Sequence, residues 1–216
     1  HLANYLALGL ASVIYLFISY RLRFSTAGLL TIIFVLGLAY TGQRMAVLYI
    51  IVLSVIGWWL AARCNQPEVR ARAKQLFWLI PLFILAELVM PLMTFLDVSS
   101  TSVDRVAATM GRESVRLSYL EQAWQLFLQH PWIGAGWGEF GWHNFNVTHQ
   151  YPNQTGLTSH AHNIVFQFMA ELGIIGAGLL LTVIVYWLLK QRQGEFTPER
   201  WWILAVLAVL GIHSLL

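Results

Sequence analysis

Two histidines, His160 and His162, close a long polar stretch and lead into an apolar run that carries Glu171, Gly173 and Gly176 (SHAHNIVFQFMAELGIIG, 159–176). An imidazole takes up or releases a proton near neutrality, so such a pair can do acid–base work. Five of the seven histidines lie between 130 and 162. A zinc site built from His143, His149, His160 and His162 with Glu139 is therefore worth weighing. The spacing lacks HExxH or any matching helical pair, and His-x-His alone is nonspecific, so no metal and no cofactor are expected. The carboxylates of this region (Asp97, Asp104, Glu113, Glu121, Glu139) are scattered, with no Asp-x-Asp pair to hold a divalent ion. A phosphorylated substrate would then depend on arginines, whose planar forks match phosphate oxygens. Arg44, Arg105, Arg112 and Arg116 are available.

Between helix and histidines lies HPWIGAGWGEFGWHNF (130–145), in which Trp132, Trp137 and Trp142 alternate with Gly134, Gly136, Gly138 and Gly141. No strand precedes these glycines, which argues against a phosphate loop. The tryptophans suit either an aromatic belt at a membrane surface or a platform for sugar rings.

The elements that must position these groups are membrane helices. Of 216 residues 58% are hydrophobic and only 11% charged, against about 25% charged in soluble domains. A helix needs about 20 apolar residues to cross a bilayer. Six spans are predicted: Leu2–Tyr20, Ser25–Thr41, Met45–Ala62, Gln75–Leu96, His162–Leu189 and Trp201–Leu216. The expected fold is all-α, a polytopic membrane helical bundle. Residues 1–96 supply four transmembrane helices, 97–161 a long outer loop, and 162–216 two further helices. His1 is not an initiator methionine, and the chain is expected to be the later part of a longer protein. Nine of the thirteen basic residues fall in the Arg21/Arg23 turn and the 63–74 and 190–200 loops, which places those on the cytoplasmic side. The net charge of +3 reflects this topology, and nucleic acid is not an expected partner. Cys64 is alone and cytoplasmic, so no internal disulfide is expected.

The outer loop is too long to be a mere connection. Its Asp97–Gly111 part is polar, and a helix is predicted from about Arg112 to Gln129. Leu117, Leu120, Trp124, Phe127 and Leu128 share one stripe, with Arg112, Arg116 and Tyr119 at its edge. Such a helix would lie on the membrane and reach lipid phosphates, where a lipid-borne substrate would also arrive. Pro131 ends it.

The run HNIVFQFMAELGIIG has His-Asn, nine residues, Gly, two residues, Gly, and this spacing resembles the signature of the bacterial O-antigen ligase and polymerase superfamily. TGQRMAVL (41–48) is similar to the family's small-residue-Arg step, with Gln43 where serine is more frequent. RLSYLEQAWQLFLQHPWIGAGWGEF (116–140) resembles its Arg, Trp, Pro-x-x-Gly-x-Gly segment. The form GWGEFGWHNF and the closing HSLL look most like the protein O-oligosaccharyltransferase (PglL-type) branch. The resemblance implies a membrane glycosyltransferase of the bacterial inner membrane, its site facing the periplasm. The implied donor is an undecaprenyl-diphosphate-linked oligosaccharide, and the implied acceptor a Ser or Thr hydroxyl of an exported protein such as pilin. The alternatives within the family are ligation to lipid A-core and glycan polymerisation. On this resemblance His162 is the general base, and Arg44 and Arg116, assisted by Arg112, hold the departing diphosphate. Trp137, Trp142, His160 and Asn163 are expected contacts for sugar or acceptor. A metal-independent, single attack opposite the leaving group would invert the anomeric centre. A rival of another class is a proton-coupled transporter using His162, Glu171 and Glu87.

On a continuous helix His162, Phe166, Met169, Gly173 and Gly176 would share a face, the glycines admitting a neighbouring helix. Glu171 would point the other way, roughly 13 Å deeper, at a cost of several kcal/mol unless paired. It is expected to face protein, with its partner in a part outside this chain.

Overall fold

The computed structural model describes residues 2–94, 102–151, 154, 156–191, 193 and 195–215, excluding the side chains of Arg44, 90–94 and 102–114. Arg105 and Arg112 thus have a described backbone only. The described residues form helices and turns without strands. The helices are α1 (Leu2–Ile18), α2 (Phe24–Tyr40), α3 (Arg44–Arg63), α4 (Pro67–Lys74), α5 (Leu79–Thr94), α6 (Ser102–Gln129), α7 (Glu139–Val147), α8 (Ile164–Gln191) and α9 (Pro198–Leu215). Single 3₁₀ turns precede α5 and follow α7.

Met45–Arg63 and Ile164–Gln191 are long and apolar enough to cross a membrane, while Leu2–Ile18 and Phe24–Tyr40 are shorter apolar helices. The fourth predicted span begins later than expected. Pro67 opens the separate helix α4, and the predicted start at Gln75 falls in the 3₁₀ turn Gln75–Trp78 that joins α4 to α5.

The structure divides into two compact units: residues 1–98 with 191–213, and 99–190 with 214–216. In the first, α1 buries Ala3, Ala7, Leu10, Ala11, Ile14 and Ile18, spaced three and four apart. Small residues on that face bring α2 close, and the Phe34 ring occupies the space a side chain at Gly9 would need. On α3 the Ser54 hydroxyl donates to the Ile50 carbonyl at 2.8 Å, which satisfies it inside an apolar helix. Tyr49 on α3 and Nδ1 of His213 on α9 lie 3.3 Å apart. At the end carrying the basic turns, the Arg72 guanidinium sits 3.4 Å from the centre of the Tyr20 ring and donates to the Phe17 carbonyl. A cation there complements the exposed carbonyls of the α1 C-terminus.

The second unit has its own core of Tyr119, Ala123, Leu126, Phe140, Ala161 and Ala170, with Val115, Ala135 and Phe166 against it. Helix α6 begins at Ser102, ten residues before the expected start. Its Ser- and Thr-rich beginning suggested a loop, but the stretch also holds Val103, Val106, Ala107, Ala108 and Met110, which a helix accommodates readily. The predicted stripe stays largely outside, with Leu117, Trp124 and Leu128 exposed. A second face, Tyr119, Gln122, Ala123 and Leu126, packs against protein.

Candidate active site

The glycine-rich segment after α6 is locked into a break in α8. Gly173 has φ 64° and ψ −172°, outside helical values, so α8 is two helical pieces joined at that residue. This corrects the expectation that Gly173 and Gly176 continue the face of His162, because the break uncouples the two pieces. The interrupted backbone finds partners in the loop. The Ala170 and Glu171 carbonyls accept from the Ala135 and Gly136 N–H groups at 2.9 and 3.0 Å. The Ile174 and Ile175 N–H groups donate to the Pro131 and Trp132 carbonyls at 2.8 and 3.2 Å. Bonds lost within the helix are replaced by bonds across it, as buried backbone requires. Gly134 and Gly173 lie on opposite sides of this exchange, each against the other segment's backbone. A Cβ on either would collide with backbone of the other segment, the Glu171 carbonyl group in one case and Trp132 and Gly134 in the other.

Helix α7 starts directly after this lock, with Gly138 at its N-cap in the left-handed region (φ 82°). Glu171, only 3% exposed, places Oε1 at 3.4 Å from the Phe140 N–H in the first turn of α7. The same Oε1 accepts from Nε2 of Gln167, one turn earlier on α8. Glu171 does face protein, as expected. Its partners lie within this chain, which corrects the expectation that they lie outside it.

A buried polar network holds the return of the chain. Asn144 on α7 donates to Oε1 of Gln122 at 2.7 Å, and Gln122 donates to Gln154 at 2.8 Å. Oδ1 of Asn144 accepts from the Thr158 N–H at 2.9 Å. Both Gln122 and Asn144 are fully buried, and a satisfied network of this kind fixes one arrangement. The chain then turns through Thr158, whose hydroxyl donates to the His160 carbonyl at 3.1 Å. Ala161 is buried and donates its N–H to Oε1 of Gln167 at 2.6 Å. Asn163 caps α8, its Oδ1 accepting from the Val165 and Phe166 N–H groups at 3.0 and 3.2 Å.

His162 therefore sits between two anchored residues, one position before the cap. Its φ of 55° is unusual for a residue with a side chain. Its ring stacks on Tyr119 of α6, centroids 5.4 Å apart and planes 29° apart, and lies 4.5 Å from the ring of His160. The residue remains exposed. Partial burial of the ring holds its pKa below the ordinary value, and the charges of His160 and Arg116 lower it further. A neutral imidazole with an accessible edge, held in one orientation, is the form a base needs.

The second unit gathers several of the predicted residues. Arg116 is exposed on α6, near enough to His162 to act on its charge, and His160 is exposed beside it with Nδ1 3.2 Å from the Ser159 hydroxyl. Asn163 serves the start of the helix. Trp137 and Trp142 are exposed, stacked on Phe168 and Phe145 with centroids 6.1 and 5.6 Å apart. Arg44 begins α3 in the other unit. His143 is held below its usual pKa by burial, with Nε2 enclosed and unpartnered. Among the described residues no group of three or more His, Cys, Asp or Glu converges as metal ligands would. Sequence reasoning missed Tyr119 as the ring behind His162 and Gln122, Asn144 and Gln167 as its supports. Amides recurring on otherwise apolar faces were the available signal.

The charge of Arg116 yields a measurable consequence. Imidazolium is disfavoured beside a guanidinium, so Arg116→Ala should raise the His162 pKa towards its ordinary value, while Arg116→Lys should leave it low. Titration of the His162 ring protons by NMR in detergent or nanodiscs checks this, and an unchanged pKa in the alanine variant would contradict the proximity.

The family model described as O-antigen ligase matches residues 29–181, a span that includes Arg44, Arg116 and His162. No curated protein and no solved structure gives a significant match.

Proposed function

We propose, from the premise that the chain belongs to the O-antigen ligase family, that His162 is its catalytic base in glycosyl transfer from a lipid-linked donor. The observation that carries this reading is the placement of an accessible imidazole, stacked on Tyr119 with its pKa lowered by burial and by the charges of His160 and Arg116. An acceptor hydroxyl loses its proton to His162 as its oxygen attacks the anomeric carbon. The bond from that carbon to the diphosphate oxygen breaks, and the diphosphate leaves with both electrons. One displacement inverts the centre. Arg116, with Arg44 and Arg112, stabilises the charge developing on the diphosphate, since guanidinium forks pair with phosphate oxygens. The donor in this reading is an oligosaccharide on undecaprenyl diphosphate, and the acceptor is Ser or Thr of an exported protein such as pilin. The site faces the periplasm of a multi-pass inner-membrane protein. The GWGEFGWHNF segment and HSLL favour the protein acceptor over lipid A-core or another glycan.

Purified protein incubated with lipid-linked oligosaccharide and, separately, pilin, core lipid or glycan acceptor tests the reading. Transfer to pilin in excess EDTA is the expected result. Exclusive transfer to core lipid would move the assignment to the ligase branch, and a requirement for added metal would overturn the arginine-only scheme. In the same assay Arg116→Lys and Arg44→Lys should be nearly as damaging as alanine. Losing a charge-assisted bond of about 1.5–3 kcal/mol slows transfer roughly tenfold to a hundredfold. Near-normal rates for both lysine variants would show that surface charge is sufficient.

A further inference from the structure

We propose that Glu171 is a positioning residue that sets the His162 backbone through Gln167, and that its carbonyl-type oxygen, rather than its charge or its proton, performs this task. This rests on the reading of His162 as base. Glu171 is 3% exposed on a largely apolar helix, where a buried carboxyl group needs hydrogen-bond partners. One atom, Oε1, receives two hydrogen bonds: from Nε2 of Gln167 and from the Phe140 N–H at 3.4 Å.

A glutamine amide can turn either end towards a neighbour. An acceptor facing it settles the choice, and drives Nε2 towards Glu171 and Oε1 towards Ala161. The Ala161 N–H then finds its acceptor at 2.6 Å, in a position where it is fully buried. Ala161 is the residue before His162, whose left-handed backbone conformation must be imposed by its surroundings. The bond to Phe140 ties the same carboxyl to the start of α7, just beyond the Gly–Trp segment. One oxygen thus joins the loop bearing the base to the loop bearing Trp137. A transporter-type proton path through Glu171 would instead need an ionisable group at that position.

Glu171→Gln keeps an Oε1 acceptor and removes the charge and the proton site. Glu171→Leu keeps similar volume and removes the acceptor. Gln167→Ala removes the link while leaving the Phe140 bond intact. The experiment compares these three with the parent by amide hydrogen exchange at Ala161 and Phe140, and by donor turnover. In Glu171→Leu both amides should exchange about tenfold faster or more, with kcat falling and KM for donor little changed. Gln167→Ala should affect Ala161 and kcat but spare Phe140. Glu171→Gln should resemble the parent in both measurements. The proposal is overturned if Glu171→Gln loses as much turnover as Glu171→Leu, because an ionisable carboxyl would then be required. It is equally overturned if Ala161 exchange is unmoved in Glu171→Leu or, should that variant not accumulate, in Gln167→Ala. Exchange needs no transfer reaction, so a parent protein without glycosyl transfer would refute the proposed function while leaving the positioning test readable.

Discussion

His162→Ala is expected to abolish glycosyl transfer while the protein still accumulates in the membrane. Removal of a general base typically slows a reaction by about 10²–10⁴-fold. The side chain is exposed and contributes little to the core, so stability should change little. His143→Ala and His149→Ala are the informative controls. His143 lies partly buried on α7, and His149 sits exposed in the turn that follows. Both lie outside the Tyr119–His160–His162 cluster of ring contacts. Each control should keep much of the parent activity, measured as donor consumed per folded protein. A fully active His162→Ala variant would remove the base from the scheme, and with it the central assignment.

Gly173→Ala should produce a large loss of structure in the second unit. The conformation at Gly173 (φ 64°, ψ −172°) is almost exclusive to glycine. The new Cβ would also press on the Trp132 carbonyl and the Gly134 nitrogen, both backbone atoms that cannot swing aside. Strain of about 1–3 kcal/mol combines with weakened bonds across the lock, for an expected cost of about 2–5 kcal/mol. Limited proteolysis in detergent should show new cleavage between Pro131 and Gly138, together with loss of transfer. Gly178→Ala, on the same helix with open space around the added methyl, should leave the protein intact or slightly firmer. Equal protease resistance for both variants would show that the break is not needed to hold the loop.

The contrast between these glycines explains how far the sequence could be read. The helices α1, α2, α3 and α9 lie within a few residues of the predicted spans, because composition alone dictates an apolar helix of that length. His162 and Arg116 were legible through spacing and chemistry. Gly173 was misassigned because Gly-x-x-Gly suits a helix-packing face as well as it suits a break. What decides between them is Gly134, in a separate segment, and no local pattern connects the two. The same holds for Tyr119 behind His162 and for Gln167 beneath Ala161. Gln122 likewise depends on partners far along the chain, since Asn144 and Gln154 satisfy it inside the core.

The break in α8 also resets where a bilayer would begin. Below Gly173 the helix runs from Ile174 to Gln191, about 18 residues and roughly 27 Å long at 1.5 Å per residue. That is close to the 30 Å hydrocarbon thickness of a typical membrane. The lower piece can span the bilayer unaided, with Lys190 at its far end. With that piece in the hydrocarbon, the upper piece, from Ile164 to Leu172, would stand in the headgroup region. Glu171 lies there too, and the expense of placing a carboxylate in hydrocarbon does not arise. Trp132 and Ile133, 70% and 76% exposed where the loop meets the break, fall at the depth where aromatic side chains mark the boundary between lipid tails and water. On the proposed reading, a lipid-linked donor would meet the protein at this level, beside the segment that carries His162.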